Sequence, residues 1–276
     1  MSFRCLSALL LCVSSMAAGQ RVLRVCADPN NLPFSDRAGE GMENKLAELV
    51  AKDLNATLQY TWWPERKSFL NKSLGADLCD LVMGVPSTLD SVLVTRPYYR
   101  STYVFVSRND RRLNISSLTD PRLMQMRIGI HIVGENYAPP AYLLARDGLG
   151  GRLVGYSLYG PAGEANPPAR LVNAVARGDV DVAVVWGPFA GYFAKLQRAP
   201  LTITPVSPAA FLNVPFTYEI SAAVRKEDRK LKSEVDEIFA RRCQAIEALL
   251  VQYGIPQVPE DQVRCDSSRQ DAAFLH

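Results

Sequence analysis

Short apolar runs alternate with amphipathic stretches along this chain, and the pattern occurs twice. VLRVCA (22–27), TLQYTWW (57–63) and DLVMGVP (80–86) are compact strand candidates. Between them, NKLAELVAKDL (44–54) puts Leu46, Leu49, Val50 and Leu54 on one helical face, and ERKSFLNKSL (65–74) predicts a second helix. The pattern restarts after SRNDRRLN. Strand candidates MRIGIHIV (126–133), RLVGYSL (152–158) and DVAVVW (181–186) are separated by PPAYLLARDGL (139–149) and PPARLVNAVARGD (167–179), whose paired prolines suit a first helical turn. Strand, helix and strand in succession predict an α/β protein with mainly parallel sheets and right-handed crossovers. Each half, at roughly a hundred residues, is short of a complete nucleotide-binding fold and suits one lobe of a two-lobed molecule.

Two further apolar stretches, STYVFVSR (101–108) and TYEISAAVR (217–225), lie between the halves and are expected to pair as crossing strands. A chain leaving at the first join and returning at the second makes lobe one discontinuous, 20–106 with 218–265, and inserts lobe two, 107–217. EVDEIFARRCQAIEALLVQYG (234–254) then reads as one long helix of lobe one, and 266–276 as a loose tail.

Residues 1–19 carry Arg4, an apolar run from Leu6 to Val13 and small residues near the end. That is the build of a signal peptide, too short to span a bilayer as a helix. Its removal predicts an exported chain with no membrane span, retaining Cys26, Cys79, Cys243 and Cys265 of the six cysteines. An even number in an oxidising compartment favours two disulfides. Four cysteines allow three pairings; chain order favours Cys26–Cys79 and Cys243–Cys265, and buried free thiols are the alternative. A sheet order of 2-1-3 makes the first and third strands neighbours, which suits the first pairing. Without Arg4, 30 basic residues face 28 acidic ones, with no basic run longer than Arg111-Arg112 or Arg241-Arg242, so nucleic acid is not expected as a partner. The two histidines, His131 and His276, and the lack of any Cys-x-x-Cys spacing argue against a metal site, and no cofactor is expected.

LRVCADPNNLPFS, DLVMGVPSTLDSVLVTRPYYRSTYVFVSR and ARGDVDVAVVWGP together resemble the type II periplasmic solute-binding proteins over essentially the whole mature chain. The resemblance implies two lobes, each with a mainly parallel sheet, joined by two hinge crossovers. The ordered set ADPNNLPFS, MENKLAELVAKDL, YTWWPERKSF, MGVP, TRPYYRSTYVF and VVWGPFAGYFA is more specific. It resembles the MoxJ/XoxJ-type proteins associated with quinoprotein (PQQ-dependent) alcohol dehydrogenases of methanol oxidation. That resemblance implies a periplasmic location and a quinoprotein alcohol dehydrogenase or its cytochrome c as partner.

Ligands of such sheets lie beyond the carboxyl ends of the strands. The candidate cleft residues are Asp28, Asn31, Phe34, Trp63, Gly84, Pro86, Tyr98, His131, Tyr137, Trp186 and Gly187, and Trp62, Tyr99, Phe189 and Tyr192 extend an aromatic rim. Such a rim suits a small apolar ligand or a protein segment. Several of these residues have a structural reading beside the functional one. Asp28 suits an Asx turn, His131 a hydrogen-bonded scaffold, Tyr98 and Tyr99 a brace at the crossover, and Trp186 a packing role between strand and helix. Amino-acid-binding relatives clamp a carboxylate with Arg after the third strand and an ammonium with an acid at the end of the strand before WGP. VPSTLDSVLVT holds no Arg and VVWGPFAG no acid, so an amino acid would leave its charges unpaired.

Three functions follow from these readings. The first is a non-enzymatic accessory protein of a quinoprotein alcohol dehydrogenase system. The second is a substrate-binding protein of an ABC transporter for a small non-amino-acid ligand. The third, a dehydratase-like enzyme on the same fold, is the weakest, because Asp28, Glu65, Asp90, His131 and Glu135 show no spacing that pairs them.

Overall fold

The computed structural model describes residues 20–258 apart from residue 162. The expected signal peptide, Cys265 of the second expected disulfide and the tail lie outside the described residues. The chain opens with β1 (Arg21–Ala27), α1 (Met42–Asp53), β2 (Ala56–Trp62), α2 (Phe69–Lys72) and β3 (Leu81–Pro86). The first join is β4 (Tyr99–Arg108), and it leads to β5 (Ile128–Val133), α3 (Pro140–Leu144), β6 (Leu153–Ser157), α4 (Ala169–Arg177) and β7 (Val182–Trp186). Then come α5 (Gly187–Lys195), β8 (Leu201–Pro205), the returning join β9 (Thr217–Val224), α6 (Arg229–Arg241) and α7 (Cys243–Tyr253).

The principal strands run in the order β6-β5-β7-β4-β9-β3-β1-β2. β1 lies parallel to β2 and β3, and β5 lies parallel to β6 and β7. Between these two parallel parts, the joins pair antiparallel, with Thr217 opposite Thr102 and Ile220 opposite Tyr99. Both the 2-1-3 order and the pairing of the crossing strands match the expectation. This is the α/β architecture of the type II periplasmic binding proteins.

The inner strands β3, β5 and β7 are apolar at nearly every position, as strands buried on both faces are, whereas β2 keeps an alternation of apolar and polar residues. In β1, Val25 joins a core with α1, α6 and α7, whereas its neighbour Cys26 faces a separate cluster with Phe69, Leu74 and Val82. In β7, Val182 and Val184 face one cluster, and Ala183 and Val185 face another. Cys26 and Cys79 are joined by a disulfide across 53 residues of chain, a closure worth roughly 4 kcal/mol on the unfolded-chain entropy account.

Two helices differ from expectation. The helix predicted over 65–74 shortens to α2, since the Glu65 N–H is bonded to the Asp28 carboxylate and Ser68 has a left-handed backbone with φ 68°. The long helix predicted over 234–254 breaks at Arg242, the residue between α6 and α7. The break lets Arg241 and Arg242 reach the same carboxylate, Asp53 at the end of α1, at 3.2 and 2.7 Å. It also seats α7 against both α1 and α5.

Candidate functional site

A cavity of about 560 Å3 lies at the carboxyl ends of the parallel strands. The turn after β1 contributes Asp28, Asn31 and Phe34, and the segment after β2 contributes Glu65 and Arg66. Gly84 and Pro86 come from the end of β3, His131 from β5 and Trp186 from the end of β7. Tyr99 and Tyr103 of β4 and Tyr218 of β9 form the wall where the crossing strands pass. Tyr159 and Phe189 complete the aromatic lining.

Asp28 serves the turn that Asp-Pro predicts. One carboxylate oxygen accepts the Asn30 N–H at 2.8 Å and the other the Glu65 N–H at 2.6 Å. Asn31 then donates to Glu65 Oε2 at 2.8 Å. Across the cavity, Asn30 Nδ2 donates to the Glu164 carbonyl at 2.6 Å and Asn30 Oδ1 accepts the Asn166 N–H at 3.1 Å. Phe34 meets Phe189 edge-on at 5.1 Å, and the Arg66 guanidinium lies 5.5 Å from the Tyr159 ring centre. These contacts tie the turns of the first parallel part to those of the second.

Trp186 lies at the end of β7. Its ring packs between Tyr103 and Tyr218, at 5.4 and 5.7 Å, while also forming cavity wall. His131 is 2% exposed, and its Nε2 is 3.2 Å from the Pro168 carbonyl, so this nitrogen carries the proton. Burial pushes its pKa down to about 4, leaving it neutral near pH 7, which is the scaffold reading.

Four candidates lie off the cavity wall. Tyr98, the residue before β4, is 5% exposed in the same core cluster as Tyr99, with ring centres 5.2 Å apart, and of the two it is Tyr99 that borders the cavity. Gly187 is buried where α5 meets β4: a Cβ there would come within 2.6 Å of Ser101 Oγ and 2.7 Å of the Thr102 carbonyl. Trp63 and Tyr137 are 39% and 43% exposed on the outside. Tyr137 pairs with Ile132 in a short strand extension, and Ala138 reaches the cavity instead. Of the extended rim, Trp62 stacks on Tyr60 at 4.6 Å and Tyr192 on Tyr253 at 5.9 Å, both away from the site.

Glu43 was not among the titratable candidates read from the sequence. Glu43, in the first turn of α1, lines the same cavity as Glu65. Burial pushes the Glu43 carboxyl up to about 8, and the nearby Glu65 adds to the rise. The positive end of a helix favours a carboxylate, but here desolvation outweighs it. Glu65, more open to the cavity than Glu43, is also pushed up by enclosure within the protein and then by the Asp28 carboxylate. Tyr98 braces this wall from behind, accepting the Gly84 N–H at 3.0 Å and donating to Glu43 Oε1 at 3.4 Å. Among the described residues, no three His, Cys, Asp or Glu side chains gather closely enough to hold a metal ion.

Residues 23–253 match the bacterial extracellular solute-binding proteins, family 3. The chain belongs to that family. It is 32% identical over 250 residues to Protein MoxJ of Methylorubrum extorquens, covering 86% of this chain and 82% of that protein. Protein MoxJ of Paracoccus denitrificans is 30% identical over 269 residues, covering 92% and 95%. The crystal structure of periplasmic binding protein XoxJ from Methylobacterium extorquens AM1 superposes with a TM-score of 0.70 at 34% identity, covering 86% of this chain and 99% of that one.

The lining of this cavity combines the carboxyl groups of Asp28, Glu43 and Glu65 with the rings of Phe34, Tyr99, Tyr103 and Trp186. Sequence reasoning missed Glu43, Tyr103, Tyr159 and Tyr218. One signal pointed toward Glu43: a glycine inside the apolar run LVMGVP marks a close approach. Gly84 sits there with φ 73°, and a Cβ would collide with Glu43 Oε1. Nothing local indicated which side chain makes that approach.

Proposed function

We propose that this chain is a periplasmic, non-enzymatic accessory protein of a quinoprotein alcohol (methanol) dehydrogenase system, and that its aromatic cavity engages the dehydrogenase or its cytochrome c. The observation that carries this reading is the wall at Trp186. Where amino-acid receptors place an acid, this chain places an indole held between Tyr103 and Tyr218. The MoxJ relatives along nearly the full chain support the same assignment. The lobes of this reading are 20–106 with 218–265, and 107–217, with the cavity between them. The two parallel parts of the sheet on either side of β4 and β9 are consistent with that division.

The size of the cavity favours a second reading, a receptor that delivers a small non-amino-acid ligand to an ABC transporter, since about 560 Å3 falls in the range of small-molecule sites. Surface-immobilised protein, tested against the purified dehydrogenase, its cytochrome and the permease encoded with it, separates the two. The accessory reading expects binding to the dehydrogenase or cytochrome, weakened by about 2 kcal/mol in Trp186→Ala when measured well below that variant's own melting temperature. Binding to the permease alone, or a Trp186→Ala variant that loses only stability, overturns it.

A further inference from the structure

We infer that the cavity receives an ammonium group carried on an apolar body, with the ammonium at Glu43 and Glu65 and the body against the rings of Phe34, Trp186 and Tyr218. The inference rests on the reading that this cavity is the functional site, and it names the chemistry that the site recognises.

Among the described residues, the cavity lining holds the carboxyl groups of Asp28, Glu43 and Glu65 against one guanidinium, that of Arg66. Arg66 is stacked on Tyr159, and both oxygens of Asp28 are occupied by backbone N–H groups. Glu43 and Glu65 are what remains. Their side chains receive one hydrogen bond each from the described residues, from Tyr98 at 3.4 Å and from Asn31 at 2.8 Å. Two carboxyl groups have room for several more donors.

Phe34, Trp186 and Tyr218 share the lining with these acids, and their rings offer contact area to an apolar body. Among the described residues no three His, Cys, Asp or Glu side chains gather as a metal site would need. An anion would meet the acids directly. An ammonium brings three donors and a positive charge on a compact head, and an apolar body then meets Trp186 and Tyr218.

Burial and mutual repulsion hold Glu43 largely protonated near neutral pH, so an arriving ammonium displaces that proton to the solvent and leaves a carboxylate–ammonium pair. The titratable groups around Glu43 are Glu65, Tyr60, Tyr98 and Tyr99, and burial keeps the three phenols neutral throughout this range. The pair should therefore strengthen as pH rises from about 6 to about 8.5.

The test is calorimetric titration of the mature chain with benzylammonium, with its neutral counterpart benzyl alcohol, and with Nα-acetyl-lysine methylamide, at both pH values. The expected result at the higher pH is that an ammonium probe binds about tenfold more tightly than the alcohol. The preference should shrink at the lower pH and in Glu43→Gln or Glu65→Gln. Binding by benzylammonium alone assigns the group to a free amine; binding by the lysine probe alone assigns it to a partner's side chain. Equal affinity for amine and alcohol, a preference unmoved by pH and by both substitutions, or no binding by any probe overturns the inference. Association with the dehydrogenase is measured separately, so the inference can fail while the proposed function stands.

Discussion

Gly84 shows how one residue shapes this site. Its φ of 73° lies in the region that side chains resist, and the space a Cβ would need is filled by the Glu43 carboxyl group. Gly84→Ala therefore combines backbone strain with displacement of a buried acid. The expected loss is about 2 kcal/mol or more in urea-induced unfolding, with an unchanged dependence on denaturant. A loss below about 0.5 kcal/mol would show that Glu43 swings aside without cost. The neighbouring tyrosines make the same point differently. Tyr98 and Tyr99 are chemically alike and share one core cluster, yet Tyr98 donates to Glu43 from behind while Tyr99 borders the cavity.

At the scale of elements, the join between α6 and α7 depends on a carboxylate that belongs to neither. The Asp53 side chain is 6% exposed and accepts from Arg241 and Arg242. The hydrogen bond from Arg242 is the largest influence on its carboxyl, and with its partners it holds the group below the ordinary range. Removing the acceptor leaves both guanidinium groups without it and loosens α7 from α1. Asp53→Ala is expected to cost about 1–3 kcal/mol of stability at neutral pH. Because the pKa of Asp53 is depressed in the folded state, its contribution is present above the ordinary carboxyl range and fades as pH falls through the folded value. The difference between Asp53→Ala and the parent should accordingly narrow in acid, and a difference independent of pH would remove the ion pair from the explanation.

For the whole molecule, two buried groups set opposing slopes of stability against pH. Glu43 rises from 4.5 unfolded to about 8 folded, so the folded chain holds the extra proton. Its contribution is full below 4.5 and is lost as pH climbs towards 8. His131 falls from 6.5 to about 4, so its contribution is present above 6.5 and lost as pH drops towards 4. The two oppose each other between about 5 and 6.5, and above that Glu43, with Glu65 acting in the same direction, is unopposed. The melting temperature of the free chain should therefore decline from about pH 6.5 to about 8.5, and Glu43→Gln should flatten that decline. An equally steep decline in Glu43→Gln would show that other groups govern it.

The 2-1-3 order of the first three strands, the pairing of the two joins and the closeness of Cys26 to Cys79 were readable from the chain, because short strand and helix patterns combine with the rule for parallel winding. Strand periodicity, proline at a helix start and a parallel winding rule together leave few arrangements for β1, β2 and β3. The turn at Asp28 was readable for the same reason, since Asp-Pro carries its own turn chemistry. The approach of Glu43 to Gly84, the contact of Tyr98 with Glu43, the close packing at Gly187 and the reach of Arg241 and Arg242 to Asp53 depended on the tertiary structure. Each is a contact between residues whose separation along the chain carries no signal, brought together because a parallel sheet gathers the ends of distant strands at one edge. Local pattern encodes which side of an element is buried; which group waits on the other side is decided by the packing of elements that the pattern does not describe.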